Sequence, residues 1–361
     1  MSGRRLVEAC RMSDRCRTVV MAGLCIVCLV AGAGVRADEA VGPSQPAKKV
    51  PDLSAAPGEK LGTWSAVLEN DYFAGTDREY TNGIRFAYLR PKGRISDAGA
   101  WIGRNLLQAD GRDGMYEGLA LGQNLYTPSD ITQSGPQVGD HPYAGWLYLE
   151  LAAIADRGSS VDTLTTNLGI VGPLAMGEFV QNTFHQLIDS TIAQGWDNQL
   201  SNEPGVIFSF DRTWRFMHAD TRSWGFDLLP SAGASLGNVL TQASAGLTVR
   251  LGPDLQDDLG PPRIRPSLAG GGFLDVEDHF DFYIFGGAQT RFVARNIFLD
   301  GNTFRNSISV NKRNIVHDFQ VGAVFRWKGV RISYTMVRRS PEFEGQRDPH
   351  QFAALSLTVR Y

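Results

Sequence analysis

Residues 69–85, ENDYFAGTDREYTNGIR, crowd Glu69, Asp71, Asp77 and Glu79 among Asn70, Thr81 and Asn82. Asp71 could bind Ca2+, a hard cation that takes carboxylate and carbonyl oxygens. An ion held there would polarise a carbonyl and stabilise an oxyanion. The same residues could equally form a solvated turn with Asx capping, and Asn82-Gly83 is by itself a turn signal. Further on, Gln181, His185 and Asp189 recur four residues apart. On a helix they would stack along one side. An imidazole there suits general-base work, since its ordinary pKa of about 6.5 is close to neutrality. Other chemistries lack their motifs. There is no HExxH, and His218, His279, His317 and His350 are scattered without zinc spacing. His141 beside Pro142 is read either as a site residue or as part of a rim loop, and Asp197 and Glu203 are further candidate ligands.

The elements that must position these groups are mostly strands. From Thr63 onward the pattern has period two. Leu355, Leu357 and Val359 alternate with Ser356, Thr358 and Arg360, and Ile332, Tyr334 and Met336 with Arg331, Ser333 and Thr335. A soluble sandwich would also alternate, with its inner face the bulky, apolar one; here the face opposite the apolar residues is small, polar and charged, and aromatics gather near segment ends, as in membrane barrels. About twelve segments follow this rule, the even number a closed bacterial barrel requires: 63–71, 81–90, 118–127, 143–156, 161–172, 200–216, 223–237, 241–252, 280–295, 315–328, 329–339 and 351–361. The expected fold is all-β, a closed antiparallel transmembrane barrel ending on the aromatic Tyr361. Two segments read as helices instead. Residues 96–108 carry Ser96 as cap, and residues 177–193 set Phe179, Val180, Phe184, Leu187, Ile188 and Ile192 at helical spacing before Gly195.

Asn70 and Asp71 are adjacent, so in a regular strand they would face opposite sides. A carboxylate cannot face lipid, so the pair is expected at or above the rim, or at a bulge. With a periplasmic N-terminus, every odd-to-even connection lies at the extracellular end. That gathers the 70–82 tip, residues 140–143 and the His185 helix at one rim.

The N-terminus reads as an address. Arg4, Arg5, Arg11, Arg15 and Arg17 precede an apolar run over 18–33, and Val35-Arg36-Ala37 fits a small-x-small cleavage signal. Residues 1–37 are read as a secretory signal peptide, 38–60 with their prolines as a flexible tail, and 61–361 as the barrel domain. All four cysteines lie in the signal peptide, so the mature chain has no thiol chemistry. Its removal takes the formal charge from -3 to -7, which speaks against nucleic acid as a partner.

The blocks ENDYF, TDREYTNGIR, GQNLYTP, HPYAGWLYLE, QNTFH and GWDNQLSNEP resemble the lipid A 3'-O-deacylases of the Gram-negative outer membrane, in matching order from about residue 64. The resemblance implies a twelve-stranded barrel, inserted among outer-membrane lipids by the barrel-assembly machinery. It also implies calcium-dependent hydrolysis of the 3'-linked acyloxyacyl ester of lipid A, the anchor of lipopolysaccharide. The family's helical base maps to His185, with Gln181 one turn earlier. The strand-one pair maps to Asn70 and Asp71, as metal and catalytic residues, and the YTNG threonine to Thr81. Arg78, Arg85 and Arg295 could then meet lipid A phosphates or serve as ordinary lumenal arginines. A phospholipase A and a non-enzymatic barrel, either a narrow pore or a lipopolysaccharide-binding structural protein, remain the alternative readings.

Overall fold

The computed structural model describes residues 62–71, 79–109, 114–220, 224–253, 255 and 280–360. The stretches read above as signal peptide and tail, Asp77, Arg78, His279, Tyr361 and most of the proline-rich 253–279 connection lie outside these. Thirteen strands form one antiparallel sheet: β1 Thr63–Asn70, β2 Glu79–Leu89, β3 Met115–Thr127, β4 Ala144–Asp156, β5 Ser160–Val171, β6 Glu203–Trp214, β7 Met217–Asp220, β8 Gly225–Gly237, β9 Leu240–Gly252, β10 Asp281–Asn296, β11 Ile315–Trp327, β12 Val330–Arg339 and β13 His350–Arg360. β1 pairs with β13, and β6 with β8, so the sheet closes on itself. β6 and β7 both pair with β8 and differ only by the break at Arg215-Phe216. They make one stave, and the barrel has twelve. Closure pairs β1 with β13 and β6 with β8 where an open sheet would present free edges, which lipid would not tolerate.

Side-chain alternation is inverted relative to a soluble protein. On β12 and β13, Ile332, Tyr334, Met336 and Leu355 are exposed while Arg331, Ser333, Thr335, Ser356 and Thr358 are buried. The apolar face is therefore the outer one. Trp64, Trp214, Trp224, Phe280 and Trp327 stand exposed at the even-to-odd end of the staves, as an interfacial girdle.

Paired charges line the lumen. Arg250 Nε donates to Asp227 Oδ1 at 3.0 Å and its Nη2 to the Leu255 carbonyl at 2.7 Å. Arg339 Nε and Nη2 donate to Asp318 at 2.9 and 3.0 Å, and Arg291 reaches the same carboxylate at 3.3 Å. Arg85 pairs with Glu150 at 2.5 Å, Arg212 with Asp162, and Arg326 with Asp281. Removing one partner strands a buried charge. Asp227→Ala is thus expected to lower stability by ~3–5 kcal/mol, read as an earlier midpoint in urea unfolding from lipid vesicles. An unchanged midpoint would mean that water already hydrates Arg250.

Among the described residues three α-helices decorate the connections: α1 Asp97–Asn105, α2 Gly177–Leu187 and α3 Ile297–Asp300. The Ser96 cap accepts from Gly99 N at 3.0 Å, as its position implies. α2 ends earlier than its apolar spacing suggests, at Leu187 rather than near 193. Asp189 takes a left-handed φ of 54°. Ser190 N donates to His185 O at 2.8 Å and Asp189 N to Gln186 O at 3.4 Å. That is a Schellman cap, and it closes the helix. Asp189 and Ile192 therefore fall outside the helix, and Asp189 does not share the face of Gln181 and His185.

By compactness the chain separates into two units, one comprising Leu61–Thr183 with Thr191–Tyr361, the other Met1–Lys60 with Phe184–Ser190. The first contains the barrel and the start of α2. Within the second, the described residues form the capped C-terminal turn of α2, where the Phe184 and His185 rings lie 6.5 Å apart.

Candidate active site

Asn70 is the last residue of β1 and Asp71 follows it directly. Asn70 shares a face with Trp64, Ala66 and Leu68, and is paired with Asn82 on β2 and Ala353 on β13. That is the lipid-facing side of the wall, yet Asn70, Thr81, Asn82, Leu125, Thr127 and Ala353 are all buried. The bulge the sequence demanded is present, but on the partner strand. The β2–β3 register slips between Tyr80 and Asn82, leaving Thr81 as the extra residue. A bulge re-aims side chains locally. Here Thr81 Oγ1 meets Thr127 Oγ1 at 2.6 Å, and Asp71 N donates to Thr81 O at 3.4 Å. Asn70, Asp71 and Thr81 are thus brought together at the end of the first two staves.

A roof covers the outer wall beside them. The chain leaves β5, makes a short turn over Pro173–Ala175, and enters α2 against the outside of β3 and β4. Gln123 Nε2 donates to Ala175 O at 2.6 Å. Two glycines allow the close approach. A Cβ on Gly145 would stand 3.0 Å from the Ala175 Cβ, and one on Gly177 only 2.5 Å from the Trp196 ring. Leu125 packs there with Tyr143, Trp196, Ala193 and Val180. The returning chain is tied to α2 by Asn182, which accepts from Ala193 N at 3.0 Å.

Gln181 is buried under this roof, and its amide orientation is fixed. Trp196 Nε1, which can only donate, donates to Gln181 Oε1 at 2.7 Å. The other end, Nε2, is buried with no hydrogen-bond partner among the described residues. A donor held in that way needs an acceptor, and such groups ask for an explanation. His185 follows one turn later on the same helix and is also buried.

The oxygens available suit a hard cation. Asn82 Oδ1 is buried without a partner among the described residues, opposite Asn70 and one pairing step from Asp71. Among the described residues no group of three His, Cys, Asp or Glu side chains assembles. A calcium ion would therefore draw on amide and backbone oxygens as well as Asp71, which its coordination habits permit.

Other candidates separate from this cluster. His141 stacks on Tyr126 with ring centroids 5.4 Å apart, meets Phe343 edge-on, and its Nδ1 lies 2.8 Å from Pro142 O. Tyr126 faces the lumen, so His141 stands on the opposite side of the wall from Asn70. Glu203 accepts from Thr303 N at 2.8 Å and Asn302 Nδ2 at 3.1 Å, pinning the β10–β11 loop. Asp197 is exposed on a single 3-10 turn. Arg85 is engaged by Glu150, and Arg295 by the Asn238 and Gly301 carbonyls and Thr303. Both arginines are thus engaged within the protein. In the 128–143 connection, hydrogen bonds from the Thr132 hydroxyl, the Gln133 amide and Thr132 N hold the Asp130 carboxyl below the usual range. What it adds to the loop is complete above the ordinary carboxylate pKa, and is lost only as pH falls through the lowered value. Thr127 and Trp196 were not evident from the sequence; Trp196 lies fifteen residues from Gln181, and no local spacing links them.

The family model described as "Outer membrane protein LpxR" matches residues 24–361. Among solved structures, LpxR from Salmonella typhimurium superposes with a TM-score of 0.68 at 21% identity, covering 83% of this chain and 100% of that one. The beta domain of the Bordetella autotransporter Brka gives 0.42 at 11% identity, covering 83% and 99% respectively. No curated protein matches in sequence.

Proposed function

Because the chain belongs to the LpxR family of outer-membrane proteins, a lipid A deacylase family, we propose that it hydrolyses the 3'-linked acyloxyacyl ester of lipid A. The observation that carries this reading is the side of the wall on which the polar cluster lies. Asn70, Thr81, Asn82 and Thr127 are buried on the lipid-facing exterior at the end of the staves, beneath residues 173–183. A substrate reaching them would come sideways from the membrane, which suits a lipid and not a solute. The ion-paired side chains that line the lumen favour the same reading over a wide pore.

In the proposed mechanism His185 takes a proton from water as the water oxygen bonds to the ester carbonyl carbon. The carbon–oxygen bond to the sugar then breaks, and the proton passes to the leaving sugar oxygen. The products are the acyloxyacyl acid and a free 3'-hydroxyl. Gln181 Nε2 supplies a hydrogen bond to the negative charge gathering on the carbonyl oxygen. Asp71 and Asn70, with the Asn82 oxygen, would hold Ca2+, which when bound supplies positive charge to that same oxygen. Thr81 fixes the bulge that presents this pair. With both termini periplasmic, this rim faces the outer leaflet, where lipopolysaccharide resides.

Mass spectrometry of lipid A incubated with the purified protein and calcium tests the reading. The expected product has lost one 3'-acyloxyacyl group. Intact lipid A after incubation with a correctly folded barrel would overturn it, and release of fatty acid from phospholipid instead would favour a phospholipase. Trp196→Phe keeps most of the packing but frees the Gln181 amide to rotate. Losing one directed hydrogen bond is worth ~1–2 kcal/mol. The deacylation rate is expected to fall about tenfold while the barrel stays folded and its melting temperature drops by about 2–4 °C for each kcal/mol lost, and an unaltered rate would remove Gln181 orientation from the mechanism.

A further inference from the structure

The lipid-facing wall carries a second polar group near Asn70, in the direction away from the roof. On β12 the outward positions Ile332, Tyr334 and Met336 are apolar, and Arg338, which continues the alternation, is exposed with them. On β11 the outward face holds Phe319 and Val321 and, nearer the extracellular end, His317, which is also exposed. Phe319 pairs with Arg338, so His317 and Arg338 are diagonal neighbours on the outer face. Thr290 of β10 faces the same way. Its Oγ1 lies 3.0 Å from His317 Nδ1, which fixes the ring and leaves Nε2 for a ligand.

The registers place these groups at the height of Asn70. The pairing row that starts there runs through Ala353, Met336 and Val321 and reaches Met217 by way of β10, β9 and β8. It begins at the extracellular end of β1 and finishes three residues past Trp214, in the periplasmic girdle. The row therefore descends by ~3 Å at each stave, as the tilt of a membrane barrel requires. Arg338 stands two residues above Met336, and His317 four above Val321, so both regain what the row has lost. Two staves across and two residues up put Arg338 about 12 Å along the wall from Asn70. One glycolipid headgroup of two sugar rings bridges that gap.

A lipid-facing arginine costs much at the membrane midplane and little near the interface. There its planar fork matches a phosphate. Among the described residues no hydrogen bond or ion pair engages the Arg338 guanidinium. The neighbouring acids are engaged elsewhere. Glu342 lies 3.4 Å from Arg339 and 3.8 Å from Arg291, and Asp318 is held by the same two arginines. Glu344 accepts from Asn311 Nδ2 at 3.3 Å, and Asp348 is engaged too.

We propose that Arg338, backed by His317, is a phosphate subsite on the exterior wall, and that its ligand is a sugar phosphate of the same lipid A whose ester lies over Asn70. The identity of the ligand rests on the deacylase reading; the position of the subsite rests on the registers. Arg338 and His317 bind and do not react. They hold ground state and transition state alike, so they decide which lipid is accepted and not how fast its ester is cleaved.

The test uses the full mature barrel in detergent, in the His185→Ala background so that turnover does not intervene. It is offered equal amounts of lipid A with both sugar phosphates and of the two forms lacking one or the other, and bound lipid is counted by native mass spectrometry. The diphosphorylated form is expected to be retained about tenfold over one of the other two, the size of one charge-assisted contact. Arg338→Gln should erase that preference, His317→Gln should reduce it, and Arg338→Lys should restore part of it. Equal retention of the three forms would overturn the subsite. So would a preference unchanged by Arg338→Gln in a barrel that keeps its heat-modifiable migration. Turnover with His185 intact is read in parallel, where Arg338→Gln should raise KM for the preferred form about tenfold with kcat unchanged. A protein that retains lipid A by its phosphate yet leaves the ester intact sinks the deacylase reading and not the subsite. Deacylation of all three forms at equal KM sinks the subsite and not the deacylase reading.

Discussion

His185→Ala is expected to leave lipid A almost intact in the calcium-supplemented assay, with the rate down by about 10²–10⁴, the range a positioned general base contributes. The barrel itself should be unaffected, because His185 lies in the last turn of α2 and the twelve staves are held by their own pairing. Far-UV circular dichroism and heat-modifiable migration would establish this. His185→Gln is the sharper variant, since it retains a side chain of similar reach without a basic nitrogen. If either variant deacylates at the wild-type rate, the base is elsewhere. Among the described residues His141 is then a poor substitute, because it stacks on Tyr126 on the lumenal side of the wall.

The second large effect concerns calcium. Chelation is expected to suppress deacylation and to lower the melting temperature, since an ion that binds only the folded state stabilises it by ~2.7 kcal/mol at a hundredfold excess over Kd. Asp71→Ala should abolish both responses, so that added calcium no longer raises the melting temperature. This readout does not depend on turnover. It separates loss of the ion from loss of the base, because His185→Ala should keep the calcium-induced thermal shift. A shift of normal size in Asp71→Ala would place the ion at other oxygens. Asn82→Ala is expected to reduce the shift without eliminating it, given its unpartnered buried Oδ1.

Most of the barrel was legible in the sequence because lipid reverses the usual burial rule. A strand with Ile332, Tyr334 and Met336 on one face and Arg331, Ser333 and Thr335 on the other has only one stable placement in a membrane. The twelve segments accordingly match the twelve staves to within a few residues. The break at Arg215-Phe216 did not show, since the 203–220 stretch keeps its pairing to β8 on both sides of it. The length of α2 was overread for a related reason. Ile188 and Ile192 continue the apolar period, but Asp189 turns left-handed, and periodicity carries no information about φ.

The site was legible only in part. Alternation placed Asn70 and Asp71 on opposite faces and required a rim or a bulge, and both occur. That the bulge falls on β2, at Thr81, depends on cross-strand register that no single strand encodes. The grip of Trp196 on Gln181 arises from a loop folding back over the wall. The close passages at Gly145 and Gly177 were present in the sequence as glycines, without a sign of what approaches them.

The ion pairs that line the barrel also bear on the cell that carries it. Every open channel added to an outer membrane widens the route by which small hydrophilic toxins enter. Arg250–Asp227, Arg85–Glu150 and the Asp318 cluster place paired side chains at three levels inside this barrel, so a route through it is narrowed wherever they stand.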